Sequence, residues 1–264
     1  MTFYDELGEH YDEVVGTAGR VGPARRFVEW LTARGVIGLA ADVACGTGLY
    51  AAELLRAGVN VVASDVSPSL LEQARANLAK LQRGQGPISA SPRLACVLGP
   101  MQEVDRQLAD ANLAGRKQGD AILCMGNSIP HLLGDEDLQQ AVAAFAAGLV
   151  DGGVAAVQLL NYSRVLKDRQ RIVGITRCGD REYIRFYDFP DGPGLLRFNI
   201  LEVLWQGNQA GSVLRETVLR PYRPGELRDA FLAGGFKRVD FFGGLDGRPF
   251  DEGSSDTVLC LCVR

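Results

Sequence analysis

The chain has 264 residues, with 28 Lys and Arg against 32 Asp and Glu and a formal net charge of −4. Its apolar content of 47% is ordinary for a globular protein and excludes a mainly disordered chain. A mildly negative charge attracts neither nucleic acid nor an anionic membrane surface. No apolar run approaches the roughly 18 residues of a membrane-spanning helix. We therefore expect no membrane partner and no nucleic-acid partner.

The cysteines and histidines do not have the spacing of a metal site. None of the six cysteines forms a Cys-x-x-Cys pair, and the two histidines stand far apart at His10 and His131. We therefore expect no bound metal. Free thiols within apolar runs, together with an acidic and aromatic start of the chain, favour a reducing, cytoplasmic setting.

Short apolar segments alternate with helical patterns over the first part of the chain. Pro23 predicts the start of a helix that runs to about residue 34. Strands separated by helices predict a parallel sheet that is covered on both faces and binds ligands at the carboxyl ends of its strands. The predicted strands are residues 39–44, 59–64, 93–98, 121–125 and 154–160.

After residue 164 the pattern changes to an alternation with period two, which predicts an antiparallel insertion. Its predicted strands are residues 172–177, 181–189, 195–205 and 212–219. Pro224 then predicts a last helix, followed by two strands at 236–242 and 257–263 that complete the main sheet. This divides the chain into an N-terminal flap (1–22), a core (23–163), an antiparallel cap (164–222) and a completion of the core (223–264).

A glycine-rich loop follows the first predicted strand, with the sequence Asp-Val-Ala-Cys-Gly-Thr-Gly from Asp42 to Gly48. Glycine permits a sharp turn and a close approach to a ligand. Gly46, Gly48 and Ala51 also satisfy the G-x-G-x-x-A pattern of NAD sites, with Asp65 placed for a ribose hydroxyl. Two features argue against NAD: the acidic Asp42, where NAD sites usually carry an apolar residue, and the long stretch before the first strand.

This loop, with the acid at Asp65, resembles motifs I and II of class I S-adenosylmethionine-dependent methyltransferases. Residues 124–132, with the sequence Cys-Met-Gly-Asn-Ser-Ile-Pro-His-Leu, resemble the Leu-Gly-Asn-Ser-Phe-x-His-Leu segment of glycine and glycine/sarcosine N-methyltransferases. Asn161-Tyr162 matches the Arg-Asn-Tyr-Asp segment of the same group. The resemblance runs from about Ala24 to the last strand. It implies a Rossmann-like α/β fold with a seven-stranded, mostly parallel sheet and a small antiparallel insertion.

The resemblance implies S-adenosylmethionine as the cofactor, with Asp65 accepting hydrogen bonds from both ribose hydroxyls. The implied cofactor-binding residues are Tyr11, Ala44, Gly46, Gly48, Asp65, Val66, Met101, Met125, Gly126, Asn127, Ser128 and His131. Catalytic roles are expected for Asn127, His131 and Tyr162. The expected substrate-binding residues are Tyr4, Asn127, Asn161, Tyr162, Arg164, Arg185 and Tyr222.

The chain departs from the group at the position before Asn161, where it has Leu160 instead of arginine. In the resembled enzymes that arginine clamps the substrate carboxylate, which leucine cannot do. Residues 164–185 contain seven Lys and Arg. We interpret them as a solvated face of the insertion; the alternative is that Arg164 or Arg185 attracts an anionic substrate.

These observations together predict a methyltransferase that acts on a small-molecule acceptor. The resemblance favours an amine and therefore N-methylation. Two alternatives stay open from the sequence: O-methylation of a small metabolite or natural product, and a regulator that binds S-adenosylmethionine without turnover.

Overall fold

The computed structural model describes residues 3–84, 92–189, 194–207 and 209–264. The strands in these ranges are β1 (Leu39–Val43), β2 (Asn60–Asp65), β3 (Leu94–Leu98), β4 (Gly119–Cys124), β5 (Leu149–Leu160), β6 (Ile172–Cys178), β7 (Arg181–Asp188), β8 (Leu196–Gln206), β9 (Gln209–Leu219), β10 (Arg238–Phe242) and β11 (Thr257–Val263). The α-helices are α1 (Tyr11–Val15), α2 (Thr17–Thr32), α3 (Leu49–Arg56), α4 (Pro68–Gly84), α5 (Val104–Ala111), α6 (Asp135–Gly148), α7 (Tyr162–Asp168) and α8 (Pro224–Ala233).

Seven strands form the main sheet in the order β10–β11–β5–β4–β1–β2–β3. Strands β1 to β5 pair in parallel, and β11 is antiparallel to both of its neighbours. The four strands β6 to β9 form a separate antiparallel sheet, here called the cap sheet. Both the Rossmann-like fold and the antiparallel insertion are thereby confirmed.

Helices cover both faces of the main sheet. On one face, α5, α6 and α8 contribute buried side chains such as Leu108, Phe145 and Phe231. On the other, α2, α3 and α4 contribute Phe27, Leu54 and others. Because every residue of β1 is buried, water is excluded from both sides of the central strands, and the carboxyl ends of the strands are left as the place for a site.

The structure corrects the predicted start of the first long helix. Helix α2 begins at Thr17, so Pro23 lies inside it and not at its start. Proline removes one backbone hydrogen bond there. The helix nevertheless continues because Phe27 and Leu31 are buried against the core, so that tertiary packing outweighs the local signal.

A second correction concerns Gly152-Gly153, because a glycine pair after a helical pattern predicts the end of that helix but the structure places this pair within β5. Helix α6 already ends at Gly148, and β5 starts at Leu149. Gly152 has a φ of +78°, and a Cβ on Gly153 would lie 3.2 Å from the carbonyl oxygen of Asp120 in β4. The register of the β4–β5 pair shifts between Gly119 and Ala121, and Gly152 and Gly153 accommodate this irregularity. Helix α5 was not predicted from the sequence.

The N-terminal segment joins the cap sheet to the main sheet. Leu7 and Val14 are buried together with Tyr183 of β7 and Ile200 of β8. The segment therefore packs under the cap sheet and closes the space above the strand ends. In the described ranges, no helix has the length and apolar character that crossing a membrane requires.

Gly234, at the end of α8, provides a test of this packing. A Cβ on Gly234 would overlap the side chain of Val142 in α6, although its φ of −79° suits alanine. We expect Gly234→Ala to lower the free energy of unfolding by about 1–3 kcal/mol through overpacking. Urea denaturation measures this change in the free energy of unfolding.

Gly225→Ala, in the same helix, is the matched control because nothing lies within 4 Å of its added Cβ. Its stability should stay within about 1 kcal/mol of the unsubstituted protein. Equal stability of the two variants would contradict the proposed contact between α6 and α8.

Candidate active site

The glycine-rich loop follows β1, and every second residue from Ala44 to Gly48 has a left-handed backbone conformation. Ala44, Gly46 and Gly48 have φ values of +50°, +57° and +86°. The turn lets the Gly46 N–H donate to Oδ2 of Asp65 at 2.8 Å. Oδ1 of the same carboxylate accepts from the Ser67 N–H at 2.9 Å. One buried side chain at the end of β2 therefore holds the loops that follow two neighbouring strands.

Burial raises the pKa of the Asp65 carboxyl, and the backbone N–H groups of Ser67, Gly46 and Val66 oppose that rise. Hydrogen bonds to a carboxylate stabilise its charged form. Asp65 is only 6% exposed. The structure thus keeps a polar acceptor at the floor of an otherwise apolar region, as ligand recognition requires.

A cavity of about 360 Å³ lies over these loops, at the carboxyl ends of β1, β2 and β4. We call it the strand-end cavity. Val66, Leu70 and Met101 contribute apolar walls, while Asp65 and Ser128 contribute polar groups. Its volume lies in the usual range for small-molecule sites, and its composition, mostly apolar with a few polar groups, is also typical.

A second cavity, of about 490 Å³, lies between the N-terminal helices, the cap sheet and the ends of β4 and β5. We call it the cap cavity. Asn127, Leu160, Arg185 and Tyr187 are among its lining residues. Both cavities are lined by Tyr4, Tyr11 and Gly126, so they adjoin at these residues.

Tyr4 and Tyr11 stand between the two cavities with their rings edge to face, 5.9 Å apart. The Tyr11 ring packs on Gly46, since a Cβ there would lie 3.3 Å from the ring. Burial raises the pKa of Tyr11 to about 12 and that of Tyr4 well above its ordinary value. Both rings therefore carry neutral hydroxyl groups at pH 7.

Tyr4 also fixes His131. The Tyr4 hydroxyl lies 2.7 Å from Nε2 of His131, and burial lowers the pKa of this histidine to about 4. The imidazole is therefore neutral at pH 7. The hydrogen bond between the neutral imidazole and the protonated tyrosine contains one proton, which either the Tyr4 hydroxyl or Nε2 of His131 donates, depending on the tautomer.

Asn127 is held by a network that connects the main sheet to the cap sheet. Its Oδ1 accepts from the Leu160 N–H at 3.0 Å, and its Nδ2 donates to the Tyr162 hydroxyl at 2.9 Å. The Tyr162 hydroxyl lies 3.2 Å from that of Tyr187 in β7. Asn127 has a φ of +70°, a conformation that asparagine tolerates better than most residues. The network fixes the floor of the cap cavity.

The structure brings most of the predicted cofactor residues to the strand-end cavity. Its lining includes Tyr11, Ala44, Gly46, Asp65, Val66, Met101, Gly126, Ser128 and His131. Gly48 instead packs against Leu78 and Ala74, and Met125 lines a small recess below the glycine loop. Asn127 faces the cap cavity.

Of the predicted substrate residues, Tyr4, Asn127 and Arg185 line the cap cavity. The others have protein partners and line neither cavity. Asn161 donates to the carbonyls of Glu252 and Ser255, and the Tyr222 hydroxyl donates to that of Leu132 at 2.6 Å. Arg164 pairs with Asp256 and Asp168, and Tyr162 is fully buried in its network. Substrate binding by these four stays a prediction.

The sequence reasoning missed Arg20 and Tyr187, which both line the cap cavity. Tyr187 could have been found, because residues two apart in a strand share a face and Arg185 was already a candidate. Nothing in the sequence pointed to Arg20, which reaches the site only through the packing of α2.

Residues 40–153 match a family described as the methyltransferase domain. The glycine-rich loop, Asp65 and the strand order agree with this match. The chain carries a methyltransferase domain at these residues.

This methyltransferase resembles curated proteins along most of its length. It is 29% identical to a glycine/sarcosine N-methyltransferase of Halorhodospira halochloris over 91% of the chain and 81% of that protein. It is 27% identical to a glycine/sarcosine N-methyltransferase of Parasynechococcus marenigrum (strain WH8102) over 76% of the chain. That match spans 64% of the relative's length.

The fold is also similar to that of the CcbJ methyltransferase from Streptomyces caelestis. The TM-score is 0.78 at 21% sequence identity, over 99% of this chain and 97% of the other. At this identity the likeness supports the fold of the methyltransferase, including the cap sheet that lies outside the matched family region.

The cofactor of this domain is S-adenosylmethionine, and the strand-end cavity fits it. Asp65 offers carboxylate oxygens for ribose hydroxyls, and Val66, Leu70 and Met101 offer apolar surface for an adenine ring. Pro100 has no N–H to donate at this wall, so an adenine ring bound there would be held mainly by apolar packing.

Asp65→Asn tests the cofactor contact. Loss of the charged acceptor should weaken binding of S-adenosylhomocysteine about tenfold to a hundredfold. Isothermal titration calorimetry measures the affinity. Asp110→Asn removes the same charge from an exposed position in α5 and should bind as the unsubstituted methyltransferase does. An unchanged affinity in Asp65→Asn would exclude Asp65 from the cofactor site.

The depressed pKa of His131 predicts a pH dependence of stability. The folded protein binds the imidazole proton less tightly than the unfolded chain does, so stability falls as the pH is lowered from about 6.5 to about 4. The loss due to this group should be at most about 3 kcal/mol. His131→Gln keeps a hydrogen-bonding group for Tyr4 but does not titrate. The free energy of unfolding of this variant should therefore not show the loss due to His131 as the pH is lowered. Parallel pH profiles for the two proteins would contradict the assignment.

Proposed function

We propose that the protein transfers a methyl group from S-adenosylmethionine to the amine of a small molecule bound in the cap cavity. The observation that carries the proposal is the pair of cavities that adjoin at Tyr4, Tyr11 and Gly126. One is built for the cofactor, and the other is large enough for a separate acceptor. That both curated relatives are named N-methyltransferases supports an amine as acceptor.

S-adenosylmethionine supplies a methyl group on a sulfonium, which is already activated for transfer. The work left to the chain is alignment and exclusion of water. Tyr4 and Tyr11 present neutral aromatic rings at the border of the cavities, where an aromatic face stabilises a positive charge. Gly126 lines both cavities, and a Cβ at this position would lie 3.1 Å from an Nη of Arg20.

The amine has to arrive unprotonated, because an ammonium group has no lone pair for the methyl. A cavity closed by the cap sheet and the N-terminal segment disfavours the charged form through desolvation. The neutral imidazole of His131 lines the strand-end cavity and is hydrogen-bonded to the Tyr4 hydroxyl at the border. Its low pKa makes it a weak base, so we assign it to the positioning of Tyr4.

The cap cavity also bears on the size of the acceptor. Leu160 lines it at the position where the resembled glycine-methylating enzymes carry arginine. Its volume of about 490 Å³ is in the range of sites for ligands far larger than glycine. We therefore propose an acceptor bulkier than glycine.

The test is release of S-adenosylhomocysteine by the purified protein. The panel contains glycine, sarcosine and larger primary and secondary amines, each paired with the hydroxyl compound of the same skeleton. We expect turnover above the no-acceptor blank with at least one larger amine, and none with its hydroxyl partner. Transfer only to hydroxyl compounds would overturn N-methylation. Tight cofactor binding without any turnover would support a non-catalytic regulator.

A further inference from the structure

The cap sheet has two faces, and only one of them is directed at the cap cavity. Tyr183, Arg185 and Tyr187 of β7 lie on that inner face, against the N-terminal segment and the cavity. Because side chains alternate along a strand, the residues between them lie on the opposite side of the sheet, here called the outer face. The proposed function makes no use of the outer face.

A continuous row of aliphatic side chains crosses the outer face from one edge strand to the other. The strand registers place four residues side by side, one from each strand: Ile175, Ile184, Leu201 and Leu214. Ile175 and Leu214, on the edge strands, are 58% and 54% exposed. None of the four belongs to the hydrophobic cores that the described residues form. The row therefore contributes to no core within this chain.

Neighbouring apolar side chains widen the row. Ile172 of β6 and Val218 of β9 are also exposed, and Phe186 of β7 is only partly buried. Half of the large apolar side chains that are exposed in the described ranges lie on the four strands of the cap sheet. Single exposed apolar residues are normal on a protein surface, whereas a contiguous apolar patch marks an interaction site.

The charges of the outer face are balanced within the described residues. Each guanidinium has an acidic neighbour: Arg171 pairs with Asp188, Arg197 pairs with Glu216, and Arg177 lies opposite Glu182 in the strand register. A face without net charge offers no attraction to a highly charged partner such as nucleic acid or an anionic membrane. It also does not repel a copy of itself.

We propose that the protein forms a homodimer in which the outer faces of two cap sheets pack against each other. Each copy then covers the apolar row of the other. Two-fold symmetric dimers use the same patch on both subunits, so the patch has to complement itself in shape and charge. Two antiparallel sheets pack face to face at about 10 Å with their strands nearly aligned, as in a β-sandwich. This inference does not depend on the proposed function.

A two-fold axis parallel to the strands, between β7 and β8, brings the apolar rows together. The axis exchanges the two central strands, so Ile184 faces Leu201 of the partner subunit. It also exchanges the two edge strands, so Ile175 faces Leu214 of the partner subunit. The apolar side chains of one copy are thereby matched by apolar side chains of the other along the whole row.

The same axis keeps like charges apart. Asp188 and Arg197 are paired in the register of β7 and β8, so Asp188 faces Arg197 of the partner subunit. Arg177 near the edge faces Ser212 of the partner subunit, which carries no charge. Like charges that face each other across an interface would cost free energy, and opposite charges fix the register of the two copies.

Sedimentation velocity of the full chain tests the dimer. We expect a concentration-dependent equilibrium whose larger species has twice the chain mass of 28.5 kDa. Ile175→Lys combined with Leu214→Lys puts like charges opposite each other across the interface. This double variant should raise the dissociation constant of the dimer at least about a hundredfold. It should still bind S-adenosylhomocysteine, because both positions are exposed and lie on the face away from the strand-end cavity.

Ile175→Lys combined with Leu214→Glu separates the proposed two-fold axis from a general effect of charge. Within one copy the two positions lie on opposite edges of the sheet, roughly 14 Å apart, which is too far for an ion pair. Across the interface the introduced lysine faces the introduced glutamate. The dimer of this variant should therefore dissociate with a constant at least about tenfold lower than that of the variant with two lysines. Equal constants for the two variants would overturn the proposed arrangement.

Leu232→Lys, in α8, is the matched control because Leu232 is 44% exposed and lies outside the cap sheet. It should dimerise as the unsubstituted protein does. A chain that is monomeric at every concentration would overturn the inference, and so would a dimer that the variant with two lysines retains in full. Binding of a monomeric chain to phosphatidylcholine vesicles, lost in the variant with two lysines, would overturn it in favour of a lipid surface as the occupant of the outer face.

Discussion

The site depends on one carboxylate, that of Asp65, because it accepts from backbone N–H groups of the loops after both β1 and β2. This double hydrogen bond places Gly46 at the floor of the strand-end cavity. The Tyr11 ring then packs on Gly46, and Tyr4 packs against Tyr11. The border between the two cavities is therefore built outward from Asp65. A buried acceptor held by backbone groups keeps its position without relying on flexible side chains.

The cap sheet contributes side chains to a separate small core and to the wall of the cap cavity. Its strand β7 supplies Tyr183 to the core shared with the N-terminal segment, and Arg185 and Tyr187 to the cap cavity. The hydroxyls of Tyr187 and Tyr162 connect this strand to Asn127 at the end of β4. The cap sheet therefore covers the cap cavity, fixes its floor and contributes Arg185 to its wall. Without the cap sheet, the ends of β4 and β5 at this cavity would be open to water.

Much of the fold could be read from residues whose local signals agree with their packing. The apolar strands β1, β2 and β4 and the period-two strands of the cap lie within a few residues of their predicted bounds, because burial and alternation are local patterns. Pro23 and Gly152-Gly153 misled the prediction. Proline is common at helix starts and a glycine pair at helix ends. In this structure, packing of α2 on the core keeps Pro23 inside the helix, and the irregular β4–β5 pair contains the two glycines. Such competition between local preference and tertiary packing is not visible in a sequence.

The sequence by itself determined the cofactor side of this methyltransferase, because the glycine-rich loop and Asp65 must lie at adjacent strand ends once the sheet is parallel. Only the tertiary structure decided the cap cavity, where we propose that the acceptor binds. Substrate contacts by Asn161, Tyr162 and Tyr222 stay predictions, and the structure shows their polar groups hydrogen-bonded within the protein. Arg20 and Arg185 line the same cavity although they are far apart in the sequence. No local pattern encodes this arrangement, since it follows from how the N-terminal helices and the cap sheet pack over the strand ends.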